Sequence, residues 1–348
     1  MTRPETDPGS GGSPREPLVL GDRYELVEPL GHGGMAEVHR ALDRALDRVV
    51  AVKLLPADQR HDSTQSRRLH DEARAAAGLS HPHVVPVHDV GWSSQGVYVV
   101  MELLDGRPWR QRIAECGPLP ERESVGVAAA VASALAHAHA RGTTHRDVNP
   151  ANVMLLADGT PILMDFGIAQ LAHAGGLTET GAVVGTPTYM SPEQVRGEEL
   201  DGRSDVYSLG CALYEALTGT PPFRGTGSAD VASVRLREAP VPPRALRPEL
   251  SVAVEDLVMR TLSVDRSARP DAATLTEALR DLGPAVPTQR SSSSRPGPVG
   301  DADAPSGEPP AADAPAPGAG RLHRVGSVLV VLGLLALVVV CLVLFVPW

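Results

Sequence analysis

Between Tyr24 and about Leu282 the chain alternates apolar runs of strand length with longer amphipathic runs, and on both sides of that stretch the pattern stops. Tyr24-Glu25-Leu26-Val27-Glu28-Pro29-Leu30 predicts a strand, and Val49-Val50-Ala51-Val52 predicts a buried one that ends on Lys53. Residues 63–79 have helical periodicity, with Leu69, Ala73, Ala76 and Ala77 on one face and Asp62 or Ser63 as N-cap. Val97-Tyr98-Val99-Val100-Met101-Glu102 predicts another buried strand, running into the loop Leu103-Leu104-Asp105-Gly106. From there the period is mostly helical. An alanine-rich helix is expected over 121–141, stopped by Gly142, and a buried helix opens at Ser204 and stops at Gly219. Strands come first and helices follow, the order expected of an α+β fold.

The flanks behave differently. Residues 1–20 are rich in Pro, Gly, Ser and charge and are expected to be disordered, with no secretory signal. Residues 284–324 open with Gln289-Arg290-Ser291-Ser292-Ser293-Ser294 and continue in Pro, Ala, Gly and Asp, a composition that builds no core. They read as a tether of about 40 residues, averaging roughly 35 Å end to end if flexible. Residues 325–346 are unbroken apolar or small. As a helix they would span roughly 33 Å, the hydrocarbon thickness of a bilayer, so a C-terminal transmembrane helix is expected; a buried core helix is the alternative. Arg321 and Arg324 flank only its N-terminal side, which places residues 1–324 in the cytoplasm and Trp348 at the far interface. A single-pass cell-membrane protein with no outer sensor domain is the expectation.

A net charge of −10 argues against nucleic acid as partner, since that needs a basic footprint. Cys116, Cys211 and Cys341 are far apart and odd in number, which suggests neither a disulfide framework nor a cysteine metal site. The basic residues are more telling. The chain holds one lysine, Lys53, against 31 arginines. On a solvated surface the two are interchangeable, but a compact ammonium between phosphate oxygens and a carboxylate is not replaced by a guanidinium.

Upstream of Lys53 stands Gly31-His32-Gly33-Gly34-Met35-Ala36-Glu37-Val38, a Gly-x-Gly-x-x-Ala-x-Val loop whose glycines would let backbone N–H groups approach phosphates. Alone it could be a generic glycine turn. A dinucleotide-binding loop would be followed directly by a helix; another extended segment follows here, so a hairpin lid is expected. Downstream come His145-Arg146-Asp147-Val148-Asn149-Pro150-Ala151-Asn152 and, 18 residues after Asp147, Asp165-Phe166-Gly167.

With the loop, the lysine, His-Arg-Asp-(x)4-Asn and Asp-Phe-Gly in this order, residues 24–283 resemble a eukaryotic-type protein kinase, specifically the bacterial membrane-anchored serine/threonine group. The resemblance implies a bilobal fold over residues 21–283, with a small β-rich N-lobe to about residue 104 and a larger helical C-lobe. It implies ATP and Mg²⁺ as cofactors and protein Ser/Thr hydroxyls as acceptors. Asp147 would orient the acceptor hydroxyl, and Asn152 and Asp165 would supply oxygen ligands to Mg²⁺. Lys53 would hold the phosphates and pair with Glu72, which is otherwise an ordinary helical glutamate. Nucleotide contacts fall on Gly31, His32, Gly33, Gly34, Val38, Ala51, Lys53, Glu72, Glu102 and Leu104. Arg146 would dock a phosphothreonine. Thr178 and Thr180 are candidates for autophosphorylation, Thr186 would touch the catalytic loop, and a homodimer phosphorylating in trans is compatible with this. Glu193 and Arg269 would form a structural pair and Asp205 would brace the catalytic loop.

One position departs from the family. A lysine is usual two residues after the catalytic aspartate, and here stands Asn149, which cannot neutralise developing charge and predicts a rate lower by about 10²–10³. An active membrane-tethered kinase is the leading expectation. A pseudokinase scaffold that binds nucleotide is the alternative, resting on Asn149 alone. A small-molecule phosphotransferase is disfavoured by the long segment that ends in Ser191-Pro192-Glu193.

Overall fold

The computed structural model describes residues 18–33, 36–56, 77–166, 187–225 and 227–283. Strands β1 (Val19–Leu20), β2 (Tyr24–Gly33), β3 (Ala36–Asp43), β4 (Arg48–Pro56), β5 (Val87–Ser93) and β6 (Gly96–Met101) form one antiparallel sheet in the order β1-β2-β3-β4-β6-β5. The near-continuous apolar run of β4 follows from burial on both faces. Val50, Val52 and Leu54 pack with Tyr24, Ala41, Tyr98 and Val100, while Ala51 and Leu55 turn to Val97, Val99, Met101 and Ile162. Its neighbour β6 is buried throughout for the same reason.

The fold begins earlier than the expected boundary at residue 21. Leu20 is buried in the cluster around Tyr24, and Val19 and Leu20 pair with Glu25 and Tyr24. Two residues are too short a run for periodicity to reveal.

The second lobe opens with a small sheet of β7 (Gly106–Pro108), β8 (Val153–Leu156) and β9 (Pro161–Leu163). Its helices are α1 (Trp109–Cys116), α2 (Glu121–His139), α3 (Pro192–Arg196), α4 (Gly202–Thr218), α5 (Ser228–Arg237), α6 (Pro243–Leu246), α7 (Val252–Thr261) and α8 (Ala272–Leu282). The alanines of α2 leave little side chain between helices, so α4 and α8 pack closely on it. Helix α2 ends at His139, two residues before the expected stop, and Gly142 turns the chain at φ 72°. Asp201 caps α4 and Gly219 closes it in the left-handed conformation.

Gly210, inside α4, shows how tight this core is. A Cβ there would lie 2.1 Å from Thr261 Oγ1 of α7. Gly210→Ala is therefore expected to lower stability by about 1–3 kcal/mol despite its better helix propensity, as read by urea denaturation. An unchanged or raised midpoint would show that α7 shifts at no cost.

Candidate active site

The two lobes meet along the segment before β5 and strand β9. Val85 N donates to Leu163 O (3.0 Å) and Leu163 N to His83 O (2.8 Å), while His83 Nδ1 contacts Pro161 O at 2.8 Å. This backbone seam ties the segment before β5, and through it the end of β6, to β9, and one apolar cluster draws residues from both lobes there. Ala51 and Met101 form one side and Met154 packs on the same cluster from the other lobe, with Leu103 and Leu104 beside it. Ala51 pairs opposite Met101, and Glu102 leaves the strand with its N–H donated to Pro86 O. Met154 was not singled out from sequence, because its contribution depends on a contact between the lobes.

The glycine loop closes as a hairpin: Gly31 pairs with Val38, His32 with Glu37 and Gly33 with Ala36. A Cβ on Gly31 would meet nothing within 4 Å, so the backbone there is open to approach. Val38 in turn pairs with Lys53. Lys53 is 7% exposed, and its Nζ lies 2.9 Å from Asp165 Oδ1, across the lobes. Glu72, the expected partner of Lys53, lies outside the described residues, as do Gly34, Thr178, Thr180 and Thr186.

The catalytic loop is held at nearly every polar atom. The Asp205 carboxylate accepts from His145 N (2.8 Å) and Arg146 N (2.7 Å) and contacts His139 Nε2 at 2.7 Å. That last contact needs Gly202, where a Cβ would lie 2.5 Å from His139 Nδ1. Buried His145 accepts from Asp147 N through Nδ1, so its Nε2 carries the proton and donates to Met164 O. Arg146 and Asp165 both sit at positive φ, 66° and 59°. Such backbone strain in non-glycine residues persists only where the surroundings over-determine it.

Gln194 supplies part of that constraint and was missed from sequence. Its Oε1 accepts from Ser191 N (2.8 Å), forming a capping box on α3, and its Nε2 donates to Arg146 O (2.7 Å). The Ser-x-x-Gln spacing signals the cap; the tie to residue 146 is tertiary and leaves no local trace.

Asp147 is surrounded by amides. Asn152 Nδ2 donates to its carbonyl (2.8 Å) and to Oδ2 (2.9 Å). Asn149 Nδ2 donates to the same carbonyl (3.2 Å) and to Oδ1 (3.0 Å). Beneath the site, buried Glu193 and Arg269 form a two-point ion pair at 2.7 and 3.0 Å, with Ser204 Oγ donating to Glu193 at 2.6 Å. Burial alone would raise the Glu193 carboxyl, but the guanidinium and hydroxyl outweigh it and hold it down at about 2.

The donor chemistry fits a nucleotide with Mg²⁺. The apolar side chains of Ala51, Met101 and Met154 suit a planar base, the glycine hairpin and Lys53 suit phosphates, and Asp165 and Asn152 offer hard oxygen donors whose set phosphate oxygens and water would complete.

Comparison with known proteins agrees. The protein kinase domain model matches residues 24–280. The serine/threonine-protein kinase PknB of Mycobacterium leprae is 45% identical over 252 residues, covering 71% of this chain and 40% of that protein. This chain thus spans about two fifths of the length of such curated relatives. Among solved structures, the PknI kinase domain of Mycobacterium tuberculosis aligns at TM-score 0.63 with 30% identity, covering 77% of this chain and 99% of that one. Rad53 in complex with AMP-PNP aligns at TM-score 0.63 with 25% identity, covering 74% and 64%. A protein kinase domain uses ATP and Mg²⁺; of the residues expected to hold them, Lys53, Asn152 and Asp165 are among the described residues, and Gly34 and Glu72 are not. The chain belongs to the protein kinase family.

Proposed function

We propose that this chain transfers the γ-phosphate of ATP to Ser or Thr hydroxyls of proteins, itself included, from the inner face of a membrane. The observation that carries the chemistry is the convergence of Lys53, Asp165, Asn152 and Asp147 at the lobe junction, with Lys53 Nζ 2.9 Å from Asp165 and Asp147 gripped by two amides. The acceptor oxygen forms a bond to the γ-phosphorus as the bond from that phosphorus to the leaving oxygen breaks. Asp147 orients the hydroxyl and takes its proton. Asp165 and Asn152 would hold the metal, which would supply neutralising charge for the phosphates, and Lys53 would steady the phosphate oxygens.

Serine/threonine selectivity rests on the matched kinases and on the Gly185-Thr186-Pro187-Thr188-Tyr189 run before Ser191-Pro192-Glu193. The scaffold alternative draws no support from those relatives. Membrane attachment rests on the composition of residues 325–346, which lie outside the described residues; among the described residues no helix is long and apolar enough to cross a bilayer. Dimerisation in trans remains part of the reading through Thr178 and Thr180.

The full chain in detergent or vesicles, incubated with Mg-ATP, should acquire phosphate on Thr178 or Thr180 and on a generic basic protein substrate, and neither should acquire it when EDTA is present from the start. Mass spectrometry reads the sites. Absence of phosphate on both the chain and the substrate would sink the enzyme reading.

A further inference from the structure

We infer that Asn149 is a positioning residue that clamps the Asp147 carboxylate, rather than a mere vacancy where a cation should be. This rests on the kinase reading above.

Asn149 is 6% exposed and its side-chain amide is fully employed. Its Oδ1 accepts from Ala151 N (2.9 Å) and Asn152 N (3.3 Å), capping the short helical turn Pro150–Asn152. Its Nδ2 donates to the carbonyl and Oδ1 of Asp147. An amide has two acceptor sites and two N–H groups, and all four are used. The two backbone donors on the oxygen side also fix which end is which, so a flipped amide would face donors with donors.

This arrangement does two things at once. Asp147 is gripped from both edges of its carboxylate, Oδ1 by Asn149 and Oδ2 by Asn152, so its plane is set before an acceptor hydroxyl arrives. The same oxygen that caps the turn holds the backbone of Asn152, so the metal-ligating amide and the hydroxyl-orienting carboxylate are registered to one side chain. A lysine has three donors and no acceptor; it could reach Asp147 but could not cap Ala151 and Asn152. Charge neutralisation is exchanged here for preorganisation.

Three variants of the full chain test this against parent, by kcat, KM for ATP and thermal melting. Asn149→Ser keeps an acceptor for the cap but replaces the two amide N–H donors to Asp147 with one hydroxyl on a shorter side chain. Its kcat should fall about 10- to 100-fold, with KM for ATP within about three-fold and the melting point within about 3 °C. Asn149→Asp keeps the shape and the cap but sets a carboxylate against Asp147, and its kcat should fall further. Asn149→Lys should not exceed parent. A merely structural residue would move the melting point with kcat, not kcat alone. Parent-like kcat in Asn149→Ser and Asn149→Asp, or a ten-fold gain in Asn149→Lys, would overturn the clamp while leaving the kinase reading intact. An inactive parent would sink both.

Discussion

Asp147→Asn should lower phosphate transfer by about 10²–10⁴-fold while leaving nucleotide affinity near that of parent. The substitution preserves volume but removes the group that takes the acceptor proton. It also collides with the local hydrogen bonding. Both carboxylate oxygens accept from amide N–H groups, Oδ1 from Asn149 and Oδ2 from Asn152. An amide in place of the carboxylate must turn an NH₂ toward one of them, so one of these contacts is lost, at about 1 kcal/mol. The loss in rate should therefore far exceed the loss in stability. Initial rates with a protein substrate, beside nucleotide titration and melting, separate the two. Retention of more than about a tenth of parent activity would remove Asp147 from the chemistry.

The second large effect is on stability. Arg269→Ala should cost about 3–5 kcal/mol, because it strands a buried carboxylate. The guanidinium uses all five of its N–H groups: two on Glu193, the others on Ser263, Arg203 and Val264 carbonyls, with its face over the Tyr207 ring at 4.8 Å. Arg269→Lys could not reproduce that fork and should also destabilise. The pH dependence has a definite sign. The Glu193 carboxyl sits at about 2 in the folded protein against an ordinary 4.5, so its contribution is complete above pH 4.5 and lost as pH falls toward 2. Urea unfolding of parent and variant should show a gap at pH 7 that narrows through that window. A gap that stays constant down to pH 2.5 would mean that Arg269 acts through its carbonyl contacts and not through Glu193.

Parts of this site were legible from spacing alone, and the reason is local. Asp147, Asn149 and Asn152 lie on one turn, so their mutual hydrogen bonds follow from a short stretch of backbone. Lys53 was legible because it is the sole lysine and follows an apolar run; the strand expected to end on it instead continues to Pro56, so Lys53 sits inside β4. The pairing of Lys53 with Asp165 was not, since it depends on how β4 and the segment after β9 face each other across the lobe junction. Gln194 was invisible for the same reason: its cap has a local signature, but its second hydrogen bond reaches a carbonyl 48 residues away. The reading of Asn149 was only partial. Sequence showed which charge was missing, whereas only the packed loop shows that the amide oxygen and nitrogen are both engaged.

Lys53 also gives the chain a chemical simplicity. It is the sole side-chain primary amine among 348 residues, and it lies in the cleft, nine-tenths covered, with its nitrogen held by Asp165. An amine-selective acylating reagent therefore has one side-chain target in the whole molecule. The extent of its reaction there, separated from the terminal amine by mass, becomes a direct gauge of how often the ion pair opens and how fully the cleft is filled. A chain with a single lysine thus carries its own single-site reporter beside Asp165, with no engineered label.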